Sequence, residues 1–497
     1  MTTADHTKVG RLYLSLGLVG LLATLVLGVI LGVERVDPDG TALLNADASY
    51  QLATLFRLGL PFLAIAPIFI GLSIAVVPLQ VGASSIAFPR AAAMSFWLWL
   101  GGAVLVIGAY AGNGGPGGNG EAVRLFIVGL GVLVVGLILA SICIAATVAT
   151  LRAPGMRLDQ VPLFSWASFI AASVSTLAFP VLLANLMLFF VSHRYGQVPF
   201  GGSSNLMSHL NWAVTYPGVA LYGLASLGII ADIVPTFAKV RQPMRSALLV
   251  AIGLAGVFYF AADHQRGVNS EFFSQPIYWL STVPAIIPVL LVVATCSLAM
   301  KSGKPAVSGP LVLALVSGLV AMLGSAMAAL LPWKGLGLTD VTVQGKDLYV
   351  GTSYVQAQSN AMMFAALLGA AAGIAFWGPR LWGRRLPDKP LMALAVLGLL
   401  GAVLVAASEG VSGLYDQPVD AVNFSIGGPV ELLNTLAAAG YALLALVVLG
   451  LIATMIRGFA SGPADATPWA GQTLEWAPPS ADTAVTSAQP LLDGTVA

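Results

Sequence analysis

The chain has 497 residues, of which 58% are hydrophobic and only 9% are charged, and its formal net charge is +1. A mean hydropathy of +0.90 excludes a soluble globular protein, because apolar runs repeatedly reach the roughly 20 residues that span a bilayer. The nearly neutral charge also argues against nucleic acid or another polyanion as a partner. The sequence therefore predicts an integral membrane protein that is surrounded mainly by membrane lipid.

Twelve apolar segments follow one another along the chain. Each is expected to be a helix, because a lone span in lipid has to satisfy its backbone hydrogen bonds internally. In chain order these segments are Leu12–Val33, Leu52–Leu79, Met94–Tyr110, Leu125–Thr150, Phe164–Ser192, Trp212–Val234, Ala247–Ala261, Ile277–Ala299, Leu311–Leu331, Tyr354–Trp377, Leu391–Ala407 and Val430–Ile456. The predicted fold class is an all-α membrane protein with twelve transmembrane helices.

The basic residues are distributed unevenly between the two sides of the membrane. With the N-terminus inside, the cytoplasmic loops collect most of the 22 Lys and Arg residues, whereas the opposite side has few, such as Arg35 and Arg124. Because basic loops remain on the cytoplasmic side, both termini are predicted to be cytoplasmic. Residues 1–457 are predicted to form the transmembrane domain. Residues 458–497, rich in Ala, Pro, Thr and Ser, are predicted to form an extended cytoplasmic tail.

Five blocks of residues near the helix ends occur in a fixed order between about residues 50 and 480. They are Val77-Pro78-Leu79-Gln80-Val81-Gly82-Ala83 with Ala87-Phe88-Pro89-Arg90, Ala153-Pro154-Gly155-Met156 with Pro162-Leu163-Phe164, His209-Leu210-Asn211-Trp212 with Gly228-Ile229-Ile230, Asp347-Leu348-Tyr349, and Pro468-Trp469 with Thr473-Leu474-Glu475-Trp476. Together with the twelve spans, these blocks resemble subunit I of cytochrome c oxidase, in the haem–copper oxidase superfamily. The resemblance implies a subunit-I-like helix bundle, the family's haem and copper cofactors, and other respiratory-chain subunits as partners.

The resemblance also locates the positions where the family binds its metal centres through six imidazoles. This chain has only four histidines, His6, His193, His209 and His264. The family's haem-ligand positions are occupied by Phe56, Tyr354 and Gln356, and its copper-ligand positions by Tyr216, Ala262 and Asp263. Haem iron needs an axial donor atom, and copper in such a site prefers imidazole nitrogen. No haem, copper or catalytic residue is therefore expected, although the enzyme class stays open.

One charged residue, Arg57, lies within the second apolar segment, next to the position of a lost haem ligand. A charge at that depth is costly and is usually paired. Our hypothesis is that Arg57 pairs with Glu409 or Glu431 and fills part of the vacated haem cavity. The pair would be either a structural ion pair or a site for a ligand or ion.

A second group of polar residues is expected where the family's binuclear centre would lie. Tyr216, Tyr354 and Gln356 could form a hydrogen-bonded core there or line a pocket for a small molecule. Asp232, near the cytoplasmic end of its helix, is expected to be solvated.

Three functions remain open at this point. The first is a subunit-I-like protein without redox centres, in the bacterial plasma membrane, with a structural, assembly or regulatory role in the respiratory chain. The second is a terminal oxidase subunit, with electron transfer to dioxygen and proton translocation, that uses unorthodox cofactor ligands. The third is a transporter or channel that uses the vacated haem cavities.

Overall fold

The computed structural model describes residues 3–36, 44–196, 210, 212–214, 218–263, 283–331, 341–343, 346–348, 352–419, 429–463, 468–469, 471 and 473–476. The α-helices are α1 (His6–Glu34), α2 (Ala46–Gly59), α3 (Ala66–Val81), α4 (Pro89–Ala111), α5 (Gly120–Thr150), α6 (Leu163–Tyr195), α7 (Gly218–Tyr222), α8 (Ala225–Ala238), α9 (Arg245–Asp263), α10 (Ile286–Ser302), α11 (Gly309–Leu330), α12 (Ser353–Trp382), α13 (Asp388–Leu414) and α14 (Val430–Ser461). Two strands, β1 (Val341–Val343) and β2 (Lys346–Leu348), pair in antiparallel register.

The prediction of an all-helical membrane bundle is confirmed. Within the described ranges, nine helical segments are long and apolar enough to cross a membrane. Three shorter apolar helices, α8, α9 and α10, lie at the sixth, seventh and eighth predicted spans. The small hairpin of β1 and β2 precedes α12 and was not predicted, because an apolar-span pattern does not detect short strands in a loop.

The second span is built from three consecutive helical pieces. A π-helical stretch, Leu60–Ile65, joins α2 to α3, and together they form one apolar segment from Asp47 to Val81. Pro61 and Pro67 lack the backbone N–H that a regular α-helix would use, and such single-turn π stretches commonly occur where a helix accommodates strain. This span carries both Phe56 and Arg57.

Two elements lie at the centre of the bundle, the second span and α12. Nearly all the side chains of α3 and α12 are buried, whereas α4, α6 and α13 expose apolar faces, as expected of helices in contact with lipid. The outer helices approach this centre closely through glycine: a Cβ atom placed on Gly10 of α1 would lie 2.6 Å from the carbonyl oxygen of Gly71 in α3. Small residues of this kind permit close packing of helix backbones in membranes.

The C-terminal segment differs from its prediction. Helix α14 continues to Ser461, past the predicted domain boundary at residue 457, which stays a prediction. Leu474–Trp476 form a 3₁₀ turn in which Glu475 and Trp476 are buried against the bundle. The prediction of an extended surface tail is therefore wrong for these residues, because their aromatic and apolar side chains pack against the ends of the helices.

Candidate functional site

The structure brings Phe56 of α2 and Gln356 of α12 to the walls of one cavity. The remaining walls come from α1, from Arg57 of α2, from Tyr441 of α14 and from Val419, which follows α13; the α1 residues include Gly28 and Arg35. The cavity has a volume of about 20 Å³, which is room for about one water molecule. The two positions that the resemblance assigns to the low-spin haem ligands therefore face a nearly filled space.

Aromatic rings occupy most of this region. The rings of Phe56 and Tyr441 meet edge to face, with their centroids 5.6 Å apart, and Phe364 of α12 lies 6.2 Å from Tyr441 on a further side. A Cβ atom placed on Gly28 would lie 2.8 Å from the Tyr441 ring and 3.0 Å from the Phe56 ring. The two rings thus pack directly against the backbone of α1, which is glycine at this point.

A buried carboxylate lies beside these rings. Glu409 of α13 is only 3% exposed, and its oxygens accept hydrogen bonds from the Tyr441 hydroxyl at 2.7 Å and from Asn360 Nδ2 at 3.1 Å. Asn360 Oδ1 in turn accepts from Gln356 Nε2 at 2.8 Å. The hydrogen bonds therefore run without a break from the cavity wall to Glu409.

Glu409 forms an ion pair with Arg35, at the C-terminal end of α1. Arg35 Nη1 lies 3.8 Å from Glu409 Oε1, and Arg35 Nη2 donates to the carbonyl oxygen of Val419 at 2.7 Å. Asn434 of α14 donates to the backbone carbonyl of Arg35. We call Arg35, Gln356, Asn360, Glu409 and Tyr441 the polar cluster. It joins α1, α12, α13 and α14. Its two buried charges, Arg35 and Glu409, form a pair because an unpaired charge is costly in a low-dielectric interior.

The predicted pairing of Arg57 with Glu409 or Glu431 stays a prediction. Glu409 takes Arg35 as its ion-pair partner, and Glu431 lies exposed in the first turn of α14. Arg57 is buried and lines the same cavity, where it has interactions of its own. The sequence pattern missed Arg35 because it follows the last residue of α1 and resembles an ordinary charge of an outside loop.

Tyr354 and Gln356 do not form the predicted cluster. They are two residues apart on α12, so they point about 200° away from each other around the helix. The hydroxyl of Tyr354 donates to the carbonyl oxygen of Met327 in α11 at 2.9 Å, whereas Gln356 faces the cavity. Tyr216 lies outside the described residues. Ala262 and Asp263 end α9, and their side chains are also outside the described part.

A haem does not fit the residues at the Phe56 and Gln356 positions. Phe56 has no donor atom, and the amide of Gln356 is engaged with Asn360 through its nitrogen. Its oxygen has no hydrogen-bond partner among the described residues and faces a space with room for about one water molecule. Within the described residues, no group of three or more His, Cys, Asp or Glu side chains could hold a metal ion.

A second small cavity, of about 40 Å³, lies among α3, α5, α6 and α8. Four serines line it, and Ser73 of α3 donates a hydrogen bond to Ser168 of α6 at 3.0 Å. The hydroxyls make this cavity suitable for a few water molecules.

Comparisons with known proteins agree with this architecture. A family profile, Cytochrome C and Quinol oxidase polypeptide I, matches residues 8–443. A cytochrome c oxidase subunit 1 from Bacillus subtilis (strain 168) is 28% identical over 96% of this chain and 78% of its own. A heme-copper oxidase subunit I+III from Aeropyrum pernix is 26% identical over 96% of this chain and 60% of its own.

The fold is also found in a solved structure. A chain from a cryo-EM structure of a heme-copper terminal oxidase dimer superposes with a TM-score of 0.72, covering 92% of this chain and 85% of the other at 15% sequence identity. The match of the family profile over most of the chain, together with this shared fold, shows that the protein belongs to the family of cytochrome c and quinol oxidase subunit I polypeptides.

Proposed function

We propose that this chain is a subunit-I-like membrane protein without haem or copper centres. Its role would be structural, assembly-related or regulatory, alongside other oxidase-like subunits in a bacterial plasma membrane. The observation that supports this proposal is the small cavity between Phe56 and Gln356. The two residues lie where the family holds its low-spin haem, and aromatic and polar side chains fill the space between them.

The polar cluster explains how the bundle remains packed without a cofactor. A large cavity left by a missing haem would lower stability, because each lost contact weakens the packing around it. Here the rings of Phe56 and Tyr441 fill the space near α1. Arg35 and Glu409 add an ion pair beside them, and Glu409 accepts a hydrogen bond from Tyr441. The side chains of this chain therefore take over the structural contacts that a haem would supply.

The names of the relatives support a partner subunit. The Aeropyrum pernix relative is named as a joined subunit I+III, and the solved structure is described as an oxidase dimer. We infer that this chain also associates with an oxidase-like subunit. The apolar faces of its outer helices are available for such a contact within lipid, for example at Val104 and Ile107 of α4.

The test is a reduced-minus-oxidised absorption spectrum of the protein purified from its own membrane, with iron and copper assayed on the same sample. We expect no haem bands and no stoichiometric metal. Stoichiometric haem would overturn the proposal and establish the oxidase alternative, with donors other than those at the matched positions. Subunits that copurify in mild detergent would identify the partner, and a chain that purifies alone would refute the association.

A further inference from the structure

The C-terminal segment Leu474–Trp476 docks in a site formed by the ends of α3, α8 and α12. Trp476 packs edge to face on Phe376 of α12, with the ring centroids 5.0 Å apart. Trp469 stacks on the same ring at 6.1 Å, and its Nε1 donates to the Phe376 carbonyl oxygen at 3.0 Å. The guanidinium of Arg385 lies 4.7 Å above the Trp469 ring. Aromatic contacts therefore hold Trp476 at the end of the segment and Trp469, which precedes the segment.

An acidic side chain lies at the centre of this docked segment. Glu475 is 1% exposed. Its Oε1 accepts hydrogen bonds from Gln80 Nε2 at 2.9 Å and from Trp377 Nε1 at 3.1 Å. Its Oε2 is buried and has no hydrogen-bond partner among the described residues. A carboxylate oxygen left in this state is costly, whereas the hydroxyl of a neutral acid carries far less charge to desolvate.

A second carboxyl group shares the same amide. Gln80 Nε2 also lies 3.2 Å from Asp232 Oδ2 of α8, and Gln80 Oε1 accepts from the Ser165 hydroxyl at 2.6 Å. The two carboxyl groups are therefore neighbours, and two negative charges on one buried amide repel each other. Like charges at this range cannot both be ionised without a large cost, so one of the two holds a proton.

The geometry decides which group is neutral. The oxygens of Asp232 accept from the backbone N–H groups of Leu163 at 3.1 Å and Phe164 at 3.0 Å, in the first turn of α6. Donors at a helix N-terminus favour the charged form of a carboxyl group. Asp232 also keeps partial exposure to solvent, which favours its ionised form, whereas Glu475 is almost fully buried. The shared proton therefore belongs on Glu475.

We propose that Leu474–Trp476 is a proton-dependent latch. The segment docks with Glu475 as a neutral carboxylic acid, and it leaves the site when Glu475 loses that proton to solvent. This inference is independent of whether the protein binds haem. If the predicted orientation is right, the latch responds to cytoplasmic pH.

The sign of the pH dependence follows from burial. Burial raises the pKa of Glu475 in the docked state, and the hydrogen bonds from Gln80 and Trp377 oppose this only in part. The docked state therefore binds a proton that the undocked state has already lost. Docking is strongest below the ordinary pKa of a Glu side chain. Above it, the docking constant falls by up to about tenfold per pH unit until the docked pKa is reached.

The experiment follows Trp476 by ¹⁹F NMR in the full-length protein labelled with 5-fluorotryptophan, in detergent micelles between pH 5 and pH 9. The variant Trp476→Phe assigns the resonance. We expect the docked signal to decline with rising pH in the wild type. In Glu475→Gln, which has a neutral side chain of the same shape, it should persist at every pH. Glu121→Gln, at an exposed carboxylate of α5, should titrate like the wild type.

Asp232→Asn gives a second, independent measurement. Asn keeps an oxygen that can accept at the start of α6, but it removes the neighbouring negative charge, so the tail should remain docked to higher pH than in the wild type. The proposal is refuted if the wild type and Glu475→Gln show the same signal throughout. It is equally refuted if Glu475→Gln is undocked at every pH while Asp232→Asn remains folded and docked, because docking would then require the carboxylate.

Discussion

Removing the carboxylate of Glu409 is the most direct perturbation of the polar cluster. The variant Glu409→Ala leaves the guanidinium of Arg35, now 3.8 Å from Glu409, without its ion-pair partner. It also removes the acceptor for Tyr441 and for Asn360. Breaking a buried ion pair from one side typically costs about 3–5 kcal/mol. We expect a loss of that size in the free energy of unfolding.

The matched control is Glu431→Ala, at an exposed position of α14. Surface substitutions of this kind usually change stability by about 0.5 kcal/mol or less. A third variant, Tyr441→Phe, keeps the ring but removes one hydrogen bond to Glu409. The expected loss is about 1.5–3 kcal/mol, the usual contribution of a hydrogen bond to a charged group.

The assay is reversible unfolding of the purified protein in mixed micelles of mild detergent and SDS, followed by tryptophan fluorescence. The order of stability should be Glu431→Ala, then Tyr441→Phe, then Glu409→Ala. If Glu409→Ala is as stable as Glu431→Ala, then Glu409 is hydrated and the polar cluster does not join the four helices as described.

Two further predictions concern the filled cavity. The double variant Phe56→His/Gln356→His places imidazoles at the two matched positions. A space of about 20 Å³ cannot admit a porphyrin, so no Soret band is expected after expression with added haem. A stoichiometric band would contradict the interpretation that side chains fill the cavity. Gly28→Ala places a methyl group 2.8 Å from the Tyr441 ring and should lower the free energy of unfolding by about 1–3 kcal/mol through overpacking. The control for folding and helix propensity is Gly101→Ala, where nothing lies within 4 Å of the new Cβ atom. Equal stability of Gly28→Ala and Gly101→Ala would count against the close packing of α1.

The sequence was sufficient to predict the helical bundle. Span length and hydropathy depend only on local composition, and the lipid environment leaves few alternatives to a helix. The motif blocks then located Phe56 and Gln356, which the structure brings to one cavity. The prediction of the bundle succeeded because it depends on residues that are close in sequence, whereas the assignment of Phe56 and Gln356 to ligand positions stays a prediction.

Partner choice could not be predicted in the same way. Arg35 and Glu409 are separated by most of the chain, and their pairing depends on how α1 and α13 rotate about their axes. Tyr354 and Gln356 are likewise close in the sequence but lie on different faces of α12, where Tyr354 bonds to Met327 and Gln356 faces the cavity. The composition of residues 458–497 predicts a surface tail, but Glu475 is buried because of the aromatic side chains around it, which composition alone does not place.

The polar cluster also raises the question of why charged residues occupy a space that apolar side chains could fill. Well-packed hydrophobic replacements of a buried ion pair are often neutral or stabilising. A single buried polar interaction can, however, fix the register of helices that would otherwise pack in several ways. We therefore infer that Arg35 and Glu409 fix the orientation of α1 against α13.

This inference is tested by the pair of variants Arg35→Met and Glu409→Leu, made singly and together. Each single variant leaves one charge without its partner, whereas the double variant leaves neither, so the double variant should be more stable than the sum of the single losses predicts. The expected coupling is about 0.5–3 kcal/mol. If the helices lose a unique packing, hydrogen exchange at the inner face of α1 should increase in the double variant even where its stability recovers. Losses that add within about 0.5 kcal/mol would mean that the two side chains act independently. The orientation of α1 would then have to come from its glycine contacts with α3 and α14.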